Sequence, residues 1–439
     1  MKTIKKTFFY LLGLAALLLL ITLVINTSVF DEDLLPEVQA IKNIKAEPYA
    51  AGNAYPALMA ISGPMGESLV ADTEEVRHVL NSKIKNTGVD YLSDEEFQRL
   101  LGEGHHTEWL KTYQSCVSRT QINCMAEVNQ IIEKNPTDDP VMAKLLHRYQ
   151  ELIAFTDYQE ATQMSFDSPL ISYRPSISLQ KVSLAKLVRS DDKNIYIDAV
   201  LKDIKFWRMV VNESHLLITK MVAIAAVYND ISSISVAVQN KQLTVEQMRL
   251  IQHHIKEMKP AGSNWKNTFE MEFKSGIQML EQAYEESEVG PWWETLLYQN
   301  QATQNVYYLS TFKPLSIIST YDSVRFYQHI QNGEREFLFY QPLSWSPSAL
   351  YNPIGKRLVG YALPAYEDYL ARGHDVSGMV LLLKLQIELA LNPTVDRQQL
   401  INASIYKNPY TLEPMDYDPK TNQISFTCMD KSSVCALQL

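Results

Sequence analysis

Residues 216–238 read LLITKMVAIAAVYNDISSISVAV, a 23-residue run long enough to cross a bilayer and apolar enough to invite that reading. Lys220, Asn229 and Asp230 stand near its middle. Each charge at mid-membrane costs about 2.5 to 3.5 kcal/mol, which cancels most of the apolar gain. The run therefore reads as a buried helix of a water-soluble domain, and that reading decides the fold. It belongs to the longest regular part of the chain, Ile195 to Ser287, broken near Lys241 and again at Lys259-Pro260-Ala261-Gly262-Ser263. Three long helices fit it. Thr244 with Gln247 makes a capping box, and Ser263 or Asn264 caps the next helix, which carries Trp265, Phe269, Phe273 and Leu280. Helices of this length joined by short loops pack antiparallel around a common core. The expected fold class is mainly α: a single N-terminal transmembrane helix, then a multi-helix periplasmic domain with a small C-terminal β-hairpin.

Towards the N-terminus, Phe8 to Ile25 runs 18 residues without a charge, and 13 of them are Leu, Ile, Val or Phe. Those side chains favour insertion by roughly 4 to 8 kcal/mol. Lys2, Lys5 and Lys6 precede the run and Asp31, Glu32 and Asp33 follow it, which places the N-terminus in the cytoplasm. A cleaved signal peptide is the rival reading, but Asn26 to Phe30 offers no Ala-x-Ala and no lipobox cysteine. Residues 1–30 are thus read as cytoplasmic tail and anchor, with the membrane as partner through residues 8–25. The next segment, 31–71, carries Pro36, Pro48, Pro56 and Pro64 with Gly52, Gly63 and Gly66, the pattern of an extended stalk. A helical domain is expected over 72–290, where Ser93 and Glu96 form a capping box and Asp139 to Ala154 has helical apolar spacing. Two lobes could meet near residue 260 or 290.

Residues 291–439 form an aromatic-rich C-terminal lobe. Between Trp292 and Tyr369, 17 of 78 residues are Phe, Trp or Tyr, about twice the chain average, so this stretch is expected to be more irregular. Trp292, Trp293, Tyr307, Tyr308 and Trp345 are its candidate contact surface, because Trp and Tyr dominate interface hot spots. The competing reading makes these rings core. A helix from Gly378 to Leu391 follows, then a hairpin in which Met415 to Tyr417 and Ile424 to Thr427 flank Pro419 to Asn422.

Four cysteines fall in close pairs, Cys116 with Cys124 and Cys428 with Cys435. Disulfides in an oxidising compartment account for them; their spacings are not those of zinc knuckles, and no cofactor or metal is called for. The net charge of −10 argues against nucleic-acid binding. Ser310-Thr311-Phe312-Lys313 matches the Ser-x-x-Lys nucleophile string, with Lys313 as base. Pro314 disfavours the helix that this string needs, and Lys274 to Gly276 precedes the serine instead of following it. His105-His106 and His253-His254 read as surface histidines, and the acid pairs at 74–75, 95–96, 138–139 and 191–192 as charges at helix starts.

Several strings together resemble a group of proteobacterial envelope proteins to which no activity is attached. They are Asn53-Ala54-Tyr55 with Leu58-Met59, the pair Cys116 and Cys124, Leu146-His147-Arg148-Tyr149, Asn352-Pro353-Ile354-Gly355, and Asn408-Pro409-Tyr410 through Pro414, Tyr417 and Asp418. Cys428 and Cys435 have no counterpart in that group. The resemblance implies membrane attachment and a helical outer domain. The functional expectation is a single-pass inner-membrane protein with a non-enzymatic periplasmic module that binds an envelope protein or a cell-wall component. A periplasmic serine hydrolase built on Ser310 is the alternative.

Overall fold

The computed structural model describes residues 2–61, 63, 66, 68–88, 92–101, 116–134, 139–160, 171–256, 258, 264–285, 292–332, 347–361 and 366–439. The protein is mainly helical, with a small C-terminal antiparallel sheet of three strands. It divides into two compact units, each assembled from separated stretches of chain: 1–44, 269–317 and 332–366 in the first, and 45–268, 318–331 and 367–439 in the second.

The second unit is built on consecutive helices Lys193–Glu213 and Leu217–Gln239, against which Arg174–Leu187 and Cys124–Lys134 pack. Leu217–Gln239 passes the length and composition test for a membrane span, yet its side chains are buried against protein on nearly every side. Two of its polar residues are bonded within the unit: the Lys220 ammonium donates to the Val211 carbonyl, and Asn229 Nδ2 donates to Gln180 Oε1 at 3.0 Å. Leu216 precedes this helix and has no side chain able to cap it. Glu160, fully buried, supplies the cap by accepting from the backbone N–H groups of His215 and Leu216 at 2.7 and 2.8 Å. Burial, opposed by those hydrogen bonds, pushes the Glu160 carboxyl up to about 7.

The local signals at several helix starts are met by geometry. Thr244 and Gln247 bond reciprocally at the start of Val245–His254, and Ser93 and Glu96 do so before Asp94–Leu101. Asp139 and Asp192 cap Pro140–Leu152 and Lys193–Glu213. Of the two residues proposed to cap Trp265–Glu285, Ser263 lies outside the described residues and Asn264 takes a left-handed conformation with φ +48°.

Three expectations are corrected. Residues 31–71 do not form an extended stalk: Pro36–Lys42 and Ala54–Ala60 are helices, and every residue of the second is buried. Their prolines sit in first turns, where the missing N–H costs nothing. The segment after Trp292 is largely helical among the described residues, with helices Asn300–Tyr307, Lys313–Ile318, Ser323–Gln331 and Pro353–Tyr361. The helix expected from Gly378 begins twelve residues earlier, at Tyr366.

Two glycines stand inside this helix. Gly373 and Gly378 look like breakers in sequence. In the fold they admit neighbours: a Cβ on Gly373 would come within 2.7 Å of the Trp265 ring, and one on Gly378 within 2.4 Å of Phe426 and 2.8 Å of Pro409. Gly378→Val is therefore expected to destabilise the protein by about 1 to 3 kcal/mol through overpacking, read from the urea midpoint.

The C-terminal strands Asp416–Asp418, Gln423–Ser425 and Ala436–Gln438 pair antiparallel in order, so the expected hairpin gains a third strand. Buried Asp375 pins this tail by accepting from Tyr410 Oη and from the backbone N–H groups of Met429 and Asp430. Arg119 and Arg372 both reach the Asp430 carboxylate, at 2.5 and 3.0 Å. Cys116–Cys124 and Cys428–Cys435 are both disulfide-bonded, with Cα atoms 5.5 Å apart in each.

In the first unit the aromatic residues make a core. Phe273 lies 5.4, 5.5 and 4.8 Å from Tyr307, Tyr308 and Phe312, and Gly276 leaves room for the Tyr307 ring. The N-terminal helix Lys2–Ile25 ends against this unit. Its segment Lys6–Ile25 is 20 residues long and apolar enough to cross a membrane.

Candidate functional site

Four helices of the second unit enclose a fully buried polar network. Asp203, on Lys193–Glu213, accepts from Tyr149 Oη at 2.8 Å and from Gln180 Nε2 at 2.8 Å. Trp207 Nε1 donates to Tyr149 Oη at 3.0 Å, and Ser118 Oγ donates to Asn229 Oδ1 at 2.7 Å. Asp230 abuts Asp203 inside the same network. Burial pushes the Asp203 carboxyl up to about 7, and burial followed by the neighbouring Asp203 charge pushes Asp230 well above the usual range. Two carboxyl groups this close and this dry do not both ionise readily, and the pair holds on to a proton well above the usual carboxylate range. No side chain of the pair reaches solvent, so it fixes helix register and offers no access to a substrate.

Three of those helices also wall a groove of about 760 Å³ on their outer side. Pro140–Leu152 contributes Ala143, Leu146, His147 and Gln150; Lys193–Glu213 contributes Ile195, Asp198, Ala199 and Lys202. From Arg174–Leu187 come Ser183, Lys186 and Leu187, with Ser190 just beyond its end. Each set has the spacing i, i+3, i+4, i+7, the stripe that one helix presents to another. Leu146, Leu187, Ile195 and Ala199 give an apolar floor, and Ile195 is 51 % exposed. Lys186 and Lys202 are exposed, and neither has an acidic partner among the described residues. Gln150 Nε2 donates to Ser183 Oγ at 2.9 Å and ties two of the walls together. Such a surface can accept an apolar helix face and attract acidic groups beside it. Sequence reasoning did not find it: its stripes mix apolar, basic and polar residues as an ordinary solvated face does, and only the tertiary arrangement brings them together.

The residues singled out from sequence have other roles. Tyr307 is buried and Tyr308 half-buried, both packed on Phe273 in the aromatic core. The side chains of Trp292 and Trp293, and Trp345 altogether, lie outside the described residues. Ser310 sits in a π-helical turn, Tyr308–Phe312, with its hydroxyl donating to the Val306 carbonyl at 2.6 Å, while Lys313 is exposed. Contrary to expectation, Lys313 is helical and the helix continues through Pro314. The wider turn lies where the Ser310 carbonyl would otherwise meet the proline ring.

Asp375, Cys428 and Cys435 bring one ligand atom each within 4.8 Å of one another. Both sulfurs are spent in the disulfide and the carboxylate already accepts three hydrogen bonds, so the donor set does not suit a metal ion. His253 and His254 are exposed in the last turn of their helix; His105 and His106 lie outside the described residues.

The strings behind the family resemblance are joints. Asn53 accepts from Tyr55 N and Gln159 N, and Asn352, at φ +49°, accepts from Gln299 N and Gly355 N while donating to Thr303 Oγ1. Arg148 is buried on Asp72 and the Ala60 carbonyl. No protein-family profile, no curated protein and no solved structure matches the chain.

Proposed function

We propose that this chain is a single-pass inner-membrane protein with a cytoplasmic N-terminus and a periplasmic bulk. It acts as a non-enzymatic binding module that seats an amphipathic helical segment of an envelope partner in the groove of its second unit. The lysines at positions 2, 5 and 6 and the acids at 31–33 support the orientation, and two disulfides beyond the anchor support the compartment. The observation that carries the binding reading is the groove itself, where three helix faces surround an apolar floor flanked by two lysines that have no acidic partner among the described residues. A partner helix with an apolar face and acidic flanks has the matching chemistry. The hydrolase alternative loses its support with the Ser310 hydroxyl, which is turned back onto its own helix.

A photo-crosslinking residue at Ile195, installed in the full chain in its native membrane, is expected to capture one dominant protein. Lys186→Glu combined with Lys202→Glu should suppress that adduct. Capture that survives the reversed charges, or no adduct at all, would remove the groove as the seat.

A further inference from the structure

We propose that the first unit does not hang from its anchor but rests on the bilayer, with residues 28–30 and the Pro347–Leu350 turn at the level of the lipid head groups. The inference depends on the N-terminal helix being a membrane anchor and adds a second membrane contact to it. Its basis is the absence of slack at the junction. The Lys6–Ile25 segment is 20 residues, or roughly 30 Å of helix, which matches the hydrocarbon thickness of a bilayer. Ile25 then lies at the edge of the hydrocarbon. The next residue, Asn26, is already part of the folded unit: its Nδ2 donates to the Leu350 carbonyl at 2.7 Å and its Oδ1 accepts from Asn352 N at 2.7 Å. Residues 350 and 352 are therefore held within hydrogen-bond reach of the membrane edge.

The chain after Asn26 is fastened just as closely. Asp31 accepts from Gln301 N and Ala302 N, at 3.1 and 3.0 Å, and so places its charge at the start of the Asn300–Tyr307 helix. Leu34 N and Leu35 N donate to Gln301 Oε1 and Asn305 Oδ1, and Glu32 accepts from Asn305 Nδ2 at 3.2 Å. Two of the acids beside the anchor are thus turned onto protein. Tyr351 Oη donates to the Phe30 carbonyl at 2.9 Å. Val29 and Phe30 are left 85 % and 54 % exposed in this bonded turn. Large apolar side chains held beside an anchor and left more than half exposed find their cover in the interfacial layer of the bilayer.

The test uses the full chain in nanodiscs, with a nitroxide on a new cysteine; the four native cysteines are disulfide-bonded, so only the introduced thiol reacts. Power saturation with oxygen and a water-soluble nickel chelate gives the depth, calibrated with head-group-labelled and chain-labelled lipids. Leu17→Cys should report the hydrocarbon and Ser348→Cys the head-group layer, with loss of nickel collisions relative to bulk water. Leu17 in the hydrocarbon with Ser348 at the bulk-water limit would overturn the seating while leaving the anchor in place. Leu17 at the bulk-water limit would overturn the anchor and the seating together.

Discussion

Asp230→Asn is expected to leave stability almost unchanged near pH 4 and to raise it by a few kcal/mol at pH 8. Asp230 is fully buried beside Asp203, and its carboxyl is raised well above the usual range by burial and then by that neighbour. In the unfolded chain an aspartate ionises near pH 4. From there upward the folded state binds more protons than the unfolded state, so stability is complete below that point and falls as pH rises. The slope is about 1.4 kcal/mol per pH unit while the folded group keeps its proton. An amide cannot ionise, so the variant escapes the loss. Other buried groups add their own slopes. Glu160, at about 7, and Asp375, at about 6, act in the same direction as Asp230, while Lys220, lowered to about 7, contributes stability that rises with pH above that value. The difference between wild type and variant cancels them, and urea midpoints at pH 4, 6 and 8 measure it. A constant difference across that range would show that Asp230 is ionised in the folded state.

Arg148→Met should cost about 3 to 5 kcal/mol, a larger single loss. The guanidinium is 1 % exposed and bonds the Asp72 carboxylate at 2.5 Å and the Ala60 carbonyl at 2.9 Å. Asp72 is itself only 20 % exposed. Removing the cation leaves a mostly buried carboxylate with the Gly66 N–H and no counter-charge, and the Ala60 carbonyl with the Gly63 N–H alone, and breaking a buried pair in this way is strongly destabilising. Arg148→Met combined with Asp72→Asn should recover part of the loss, because the stranded charge is gone. Denaturation of both variants by urea decides between this account and a loss of packing alone, which the second substitution would not restore.

Those two sites illustrate what a sequence reveals. Helix starts were legible because their chemistry is local: Thr244 with Gln247 and Ser93 with Glu96 need only a three-residue spacing. The buried reading of residues 216–238 followed from Lys220, Asn229 and Asp230, and all three are buried in the protein, Lys220 and Asn229 on hydrogen-bond partners. Gly378 reads in sequence as a helix start, yet it lies inside the helix and admits Phe426, which is more than forty residues away. Prolines 36 and 56 suggested an extended stalk, yet proline in a first turn is compatible with a helix, and burial of the segment decided the matter. Pro314 is accommodated by the π turn before it, a backbone adjustment with no sequence signature of its own.

The site was less legible than the fold. Tyr307 and Tyr308 drew attention by composition and turned out to pack on Phe273. Lys186 and Lys202 drew none, because a lysine on an amphipathic helix is ordinarily a solvated residue. Their significance comes from Leu187, Ile195 and Ala199 lying beside them across two helices, which is a property of packing alone.

Retention of the N-terminal helix in the working protein is read from the intact mass of the chain purified from native membranes. Asn26, bonded to Leu350 and Asn352, and Asp31, bonded to Gln301 and Ala302, continue that helix into the first unit without a break. The expected mass includes the contribution of residues 1–25. A mature N-terminus between residues 26 and 31 would make the helix a discarded signal and contradict the account.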